Sequence, residues 1–295
     1  KIEETSLVSN DVAKIGDVYY TSLQAAIEAA IEAAIEAANN NDVITLLKEG
    51  LTENVTVAQK PDVKFTIDGA EKTFKGTITV DGKSAAYATA GLTIKNVKFD
   101  ATAITKDACI NLGVSGNNNT RYTNNVTVSG CTFTDGDYTA VAVKSYTGGD
   151  KNLVIKDCIA TGMHSLAQLS NVKEGLVISG CDVDTKNGLN LGSSGETGEV
   201  VIVNNNISVK GYAVRIGAGN GRDSAVDNNG CTKYRSDARV RSDHWPMDCV
   251  LQDQSCCCVS SHKSRMFHQD IRTPDQVFPP LLHRHHICAT RCGRV

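Results

Sequence analysis

Between Leu92 and Ile216 one apolar pattern returns five times, and few folds are open to a chain that repeats itself so closely. The copies read Leu92-Thr-Ile94-Lys-Asn-Val97-Lys-Phe99, Val126-Thr-Val128-Ser-Gly-Cys131-Thr-Phe133, Leu153-Val-Ile155-Lys-Asp-Cys158-Ile-Ala160, Leu176-Val-Ile178-Ser-Gly-Cys181-Asp-Val183 and Val200-Val-Ile202-Val-Asn-Asn205-Asn-Ile207. A second short apolar segment follows each copy: Cys109 to Gly113, Thr139 to Lys144, Leu166 to Ser170, Gly188 to Gly192 and Ala213 to Gly217. From Ile94 to Ile202 the step shrinks from about 34 residues to about 24, the spacing of a solenoid. Alternation of period two within each copy predicts one strand whose Leu92, Ile94, Val97 and Phe99, with their equivalents, face inward. Such a two-strand unit cannot bury its apolar face alone. Stacked at the usual strand separation of about 4.8 Å it can, each coil completing the hydrogen bonds of the one below. Turn-forming residues fall where the coils must bend, at Gly116 with Asn117, at Asp135-Gly136-Asp137, at Gly148-Gly149-Asp150 and at Asn187-Gly188.

Carried by these coils and by Asp42-Val-Ile-Thr-Leu-Leu and Gly76-Thr-Ile-Thr-Val80, the stretch from Asp42 to Gly221 resembles a right-handed parallel β-helix of the pectate-lyase-like superfamily. The resemblance implies an all-β solenoid and a place among secreted or cell-surface proteins of bacteria. That fold carries lyases, hydrolases, esterases and adhesive stalks alike, so it leaves the activity open. No signal peptide opens the chain; if the protein is exported, Lys1 is a mature or trimmed start.

Composition agrees with an all-β reading, with few aromatic residues and abundant Asn, Thr, Gly and Val. The 295 residues suffice for one long solenoid or two ordinary domains. A net charge of -3 gives no reason to invoke nucleic acid or a lipid surface. No apolar run is long enough to span a bilayer. Oligomeric state is not legible here.

Ahead of the coils, residues 1–41 read as a separate N-terminal element. Val12 to Ile15 and Val18 to Tyr20 form an opening strand or hairpin, and Thr21 with Gln24 makes a capping box that starts a helix from Ser22 to Ala38. Within it Ala26-Ile27-Glu28-Ala29 recurs as Ala30-Ile31-Glu32-Ala33 and Ala34-Ile35-Glu36-Ala37, so Ile27, Ile31 and Ile35 fan across a broad face. The copies look like a tandem duplication, natural or engineered, and two extra copies lengthen a helix by about 12 Å. The predicted role is to cover the open N-terminal end of the solenoid and deny its strand edges to another chain. A partner-binding amphipathic helix is the alternative.

Cys131, Cys158 and Cys181 take the same place in successive coils, after Val97 and before Asn205. Facing a narrow apolar core beside Phe133 and Val183, they are expected to be free thiols filling that core rather than metal ligands. Asn205 is expected to open an internal amide ladder. His164 stands alone in a turn with no partner at metal spacing. On the outer face of the second strand Asn111, Ala142, Gln168, Asn190 and Arg215 are expected to line up, with Lys144 and Ser170 one row away. Asn111, Lys144, Gln168, Asn190 and Arg215 are thus the candidate contacts for a polysaccharide or cell-surface glycan laid along the axis; the alternative is a solvated face.

Lyases of this fold use carboxylates that hold calcium and an Arg or Lys that takes the proton, and its hydrolases use sets of aspartates. Asp135, Asp137, Asp182 and Asp184 are the nearest acidic candidates, but they form no tight outward row that would reach one substrate atom together, so no catalytic residue is assigned. Arg215 has Asn190 and Gln168, not carboxylates, in the coils below it. The leading expectation is a non-catalytic extracellular spacer or adhesion module with polysaccharide contact and no cofactor. The alternative is a polysaccharide lyase, with calcium, or a glycoside hydrolase.

From Arg222 to Val295 the composition breaks. This tail holds seven of eleven cysteines, six of seven histidines, nine of eleven arginines and the only tryptophan. One reading is a zinc module built from Cys256, Cys258, His283, His285, Cys288 and Cys292, although the crowded ligands match no familiar four-ligand spacing. The other is translation in a shifted frame from near Gly221, which accounts together for the loss of strand pattern, turn chemistry and lysine. The tail is then expected to be disordered or loosely docked.

Overall fold

The computed structural model describes residues 10–37, 41–82, 88–105, 107–114, 122–146, 149–170, 172–191, 200–216, 225–227 and 230–233. They form a parallel β-solenoid whose coils each lay one strand in each of three sheets. The coil beginning at Gly91 is representative: Gly91–Lys95 lies in the first sheet, Lys98–Asp100 in the second and Ala108–Leu112 in the third. The second and third sheets are seven strands deep, and in both every neighbour is parallel.

Three strands per coil correct the expected two. The predicted strand from Leu92 to Phe99 is two strands meeting at a sharp corner, and the corner residue is in the left-handed region in five successive coils: Asn96 (53°), Gly130 (59°), Asp157 (54°), Gly180 (65°) and Asn204 (57°). Only Gly, Asn and Asp appear there because they adopt this conformation at least cost. The ladder survives the bend, since Asn96 N–H donates to Ser129 O, Gly130 N–H to Lys156 O and Asp157 N–H to Ser179 O. A signal for the corner lies in the repeat itself, where the inward positions step by two, then by three from Ile94 to Val97.

The inward rows stack in register as expected. In the first sheet Ile44, Ile67, Ile94, Val128, Ile155, Ile178 and Ile202 pair one above another, and all are fully buried. In the second sheet Phe74, Phe99 and Phe133 head a column that continues with Ala160, Val183 and Ile207. The rings of Phe99 and Phe133 are stacked at 5.0 Å, and Phe74 meets Phe99 edge-on at 5.7 Å. Each fully buried aliphatic side chain stabilises the column by about 1.5–3 kcal/mol, so one solvent-free core holds the coils together.

The N-terminal end is closed by two devices. The hairpin of Ala13–Ile15 and Val18–Tyr20 adds antiparallel strands beyond Asp42–Leu46 in the first sheet. The helix Leu23–Ala37 packs Leu23, Ala26, Ile27, Ala30 and Ile31 into the same core. Ile35 lies outside the residues whose side chains are described. The capping box expected from Thr21 and Gln24 is replaced. Ser22 Oγ accepts from Ala25 N–H at 3.2 Å, and the Glu53 carboxylate, from a strand connection thirty residues away, accepts from the Leu23 and Gln24 N–H groups at 2.8 and 2.9 Å. That places a negative charge on the positive end of the helix and satisfies its orphan donors. Gln24 is thereby freed for another task. Its side-chain amide accepts from Thr56 N–H at 2.8 Å and donates to Thr56 O at 3.2 Å. Val55–Ala58, which contains Thr56, is the edge strand of the third sheet, so one glutamine imitates the missing neighbour strand. Gln59 repeats the device, bonding Asn124 N–H and Asn124 O at 2.9 and 2.7 Å.

Beyond Gly221, where the expected boundary fell, Ala225–Asp227 and Gly230–Lys233 still pair in parallel with Val200–Val203 and Asn206–Val209. Val226-Asp-Asn-Asn229 repeats Ile202-Val-Asn-Asn205, a match available in the sequence. The zinc-module residues Cys256, Cys258, His283, His285, Cys288 and Cys292 lie outside the described residues, as does all of the tail after Lys233.

Candidate functional site

Register decides which outward side chains of the third sheet share a row. Asn111 pairs with Lys144, Lys144 with Gln168, Gln168 with Asn190 and Asn190 with Arg215, continuing a row that begins at Thr56 and Thr79. All five candidate glycan contacts therefore stand in one column. Ala142 does not belong to it: the pair Val141 and Ala142 are both buried where the strand begins, as are Ala108 with Cys109 and Ser165 with Leu166. Lys144, expected one row away, takes the place assigned to Ala142. Asn111 is in the row but only 6% exposed, its Nδ2 turned back to Ala108 O at 3.2 Å. A ligand on this face thus meets Lys144, Gln168, Asn190 and Arg215, not Asn111.

Beside this row runs the ridge where the chain turns from the second sheet into the third. It carries Tyr138, His164, Lys186, Lys210 and Tyr212 from four successive coils, none of them anticipated as site residues. The Lys144 ammonium lies 4.4 Å from the ring centroid of Tyr146, and the Lys210 ammonium 3.8 Å from that of Tyr138. Both are cation–π contacts on partly exposed rings, which hold long side chains that would otherwise wander. Tyr146 donates its phenol proton to Asp107 Oδ1 at 2.9 Å; burial, then this bond and the Asp107 charge, push it up to about 12, so it remains a neutral donor. Burial raises Tyr212, with the nearby Arg215 charge opposing.

His164 lies in a bend between two strands, as expected, and is half-buried. Its Nε2 is 3.4 Å from the Asn187 amide nitrogen and its Nδ1 is 3.3 Å from Ser165 Oγ, contacts that suit a proton on Nδ1. Burial, followed by the charges of Lys186 and Lys144, holds the imidazole below its usual range. The two lysines thus disfavour a further positive charge on His164.

The turn supporting Tyr138 is strained. Asp135, Asp137 and Tyr138 all adopt left-handed φ, at 62°, 44° and 55°. Asp tolerates this; a bulky ring does so only where its surroundings impose it. They do: Tyr138 N–H donates to Gly162 O at 2.8 Å, and Gly136 lies so close over buried Met163 that an added Cβ would come within 2.7 Å of the sulfur.

The acidic candidates are dispersed. Asp182 pairs in register with Ile159 and Asn206, and Asp184 with Thr161 and Ser208, so neither stacks on a carboxylate. Asp135 accepts a hydrogen bond from Thr134 Oγ1 at 2.7 Å. Among the described residues no three His, Cys, Asp or Glu side chains gather at metal-ligand spacing, and no helix is long and apolar enough to cross a membrane. Elsewhere an open groove of 540 Å³ lies against the first sheet, lined in part by Lys64, Thr66, Thr93 and Asn125. The Asn125 amide there is engaged in tying down the carbonyls of Ala88 and Ala90.

Fold and surface together define a parallel β-solenoid with in-register polar ladders on its outside. Comparison with family models, with curated proteins and with solved structures gives no match for this chain.

Proposed function

We propose that the protein is a non-catalytic, extracellular spacer or adhesion module that contacts polysaccharide along the third sheet. The observation that carries this reading is the single row of Lys144, Gln168, Asn190 and Arg215. Strands in neighbouring coils are about 4.8 Å apart, close to the length of one sugar residue along a polymer, so a rigid row of amides and cations meets successive sugars at one spacing. Amides donate and accept at once, which suits hydroxyl groups, and a sheet face holds them at little entropic cost. Export is the part of the proposal inherited from the resemblance to secreted β-helix proteins.

Affinity electrophoresis of the full chain against a panel of neutral and acidic polysaccharides tests it. Retardation by at least one polymer is expected, weakened severalfold in the double variant Gln168→Ala, Asn190→Ala with its melting temperature unchanged. No retardation by any polymer contradicts the reading. Release of new reducing ends or unsaturated products, with or without calcium, replaces it with a lyase or hydrolase.

A further inference from the structure

At the N-terminal end each sheet must stop, and the three stop differently. The edge of the third sheet, Val55–Ala58, is met by the Gln24 amide. That of the second, Thr73–Phe74, is met by Leu51, which bridges to Phe74 in parallel while Gly50 N–H donates to Thr73 O at 2.8 Å. The first sheet is not finished in this way. Its hairpin covers Asp42–Leu46 and leaves Val18–Tyr20 as the new edge, with no strand beyond it among the described residues. We infer that this edge pairs with the same edge of a second copy of the chain, joining first sheet to first sheet in an antiparallel, two-fold dimer.

The backbone of the strand is already set for such pairing. Gly16 and Asp17 close the hairpin, Gly16 in the left-handed region at 54°, so a tight turn holds Val18 to Tyr20 extended. Tyr20 turns its carbonyl toward the rest of the sheet, where it accepts from Val12 N–H at 2.8 Å. Alternation along an antiparallel strand then turns the N–H and C=O of Tyr19 outward, one donor and one acceptor side by side. A pair of this kind is completed by another extended strand, not by a helix or a flat surface.

The side chains select which strand. Val18 is 58% exposed and Tyr19 55%; since they point to opposite faces, the strand is open on both faces as well as along its edge. Exposed edges are usually guarded by lysine, proline or a bulge, and Val18-Tyr19-Tyr20 has none of these. With Tyr19 on the two-fold axis, it lies opposite Tyr19 of the second copy, Val18 lies opposite Tyr20, and Asp17 opposite Thr21. Aromatic and β-branched side chains are thereby paired across the joint, and no like charges meet within it. A second copy offers the required edge in the required orientation, each contact being made twice. Three paired residues bury little surface, so the dimer is weak and depends on concentration.

Sedimentation equilibrium of the full chain from about 5 to about 500 µM tests this, with a reductant present so that the seven tail cysteines do not cross-link. The mean mass should rise across this range from that of one chain toward that of two, and fall again on dilution. Tyr19→Lys sets two ammonium groups opposite one another on the axis and should weaken association at least tenfold, as should Val18→Lys; Tyr19→Phe should leave it unchanged. All three side chains are exposed or replaced in kind, so helical circular dichroism and melting temperature should stay as they are. A photoreactive benzoyl-phenylalanine at position 19 should link to residues 17–21 of the other copy. A single-chain mass throughout the range overturns the inference. So does a dimer that both lysine variants leave intact, or cross-links confined to one chain or falling on another face. Glycan contact is untouched by any of these results.

Discussion

At the scale of single residues, the column Val97, Cys131, Cys158, Cys181, Asn205 shows how one position serves five coils. Cys131, Cys158 and Cys181 are buried, free thiols. Each directs its sulfur at backbone carbonyls, Cys158 at Val128 O and Lys156 O at 3.7 and 3.2 Å, Cys181 at Ser179 O at 3.4 Å. The bond to Cys131, and after it burial, push the Cys158 thiol up to about 12, and the bond to Cys158 with burial raises Cys181. Thiolates are the reactive form. Brief alkylation of the native protein near pH 8, followed by peptide mass mapping, should leave Cys131, Cys158 and Cys181 unmodified until denaturant is added; rapid native labelling of any of them contradicts the packing. Asn205 does the same work with stronger bonds, donating to Ile178 O and Val203 O at 3.0 Å and accepting from Cys181 N–H at 3.0 Å. Asn205→Leu strands buried backbone groups and should destabilise the fold by about 1–3 kcal/mol in a urea titration. Asn205→Cys, returning the side chain used one coil earlier, should cost less. An equal loss for both would mean that the amide's bonds do not matter.

At the scale of elements, the helix is attached by chemistry that sequence reading could not place. Its existence is legible from the Ala-Ile-Glu-Ala period, but its cap is Glu53, and nothing in the spacing of Thr21 and Gln24 points thirty residues ahead. Glu53→Ala removes the charge-assisted bonds to Ser22, Leu23 and Gln24 and should lower stability by about 1–2 kcal/mol, with loss of helical circular dichroism before the main unfolding transition. A single unchanged transition would show that the helix is held by Leu23 and Ile27 alone. The corners between coils carry ion pairs that respond to acid. Burial alone would raise Asp68, but the Ala70 N–H, Lys95 and Asn96 outweigh it and lower it below its ordinary 3.8; Thr102, then Lys75, lower Asp100 against burial. Because the folded-state values are depressed, this stabilisation is complete above 3.8 and is lost as pH falls through the lower folded values. Thermal melts taken downward from pH 5 should fall most steeply below 3.8, and less so in Asp68→Asn; an unaltered slope would remove Asp68 from the account.

At the scale of the molecule, what was legible and what was not have one cause. Ile94, Val128, Ile155, Ile178 and Ile202 could be read as a pile because inward apolar residues must repeat when coils stack. Outward residues are under no such demand. The length of the connections varies between coils, and the expected outer row held Ala142 with Lys144 beside it, whereas Lys144 stands in the row and Ala142 is buried. Tyr138 and Lys210 escaped altogether, since their contact spans three coils and leaves no periodic trace. At the far end, Ala225–Asp227 and Gly230–Lys233 still pair in parallel past the boundary expected at Gly221, inside the stretch where the composition breaks. If a shifted frame causes that break, the neighbouring frame of the gene downstream of Gly221 should encode further coils of the Val-x-Ile-x-x-Cys kind; stop codons there would refute it.

Every functional statement depends on coils stacked in this register, and distances along the axis measure it most directly. Spin labels introduced through a non-canonical amino acid at Thr66, paired in turn with Val154, Val177 and Val201 on the outer row of the first sheet, probe successive rungs of one column. Pulsed electron double resonance should return distances that rise by about 5 Å from each pair to the next, reaching roughly 24 Å for Thr66 with Val201. Distances that do not rise with coil number, or that spread broadly within each pair, would contradict the stacked column and with it the row of Lys144, Gln168, Asn190 and Arg215.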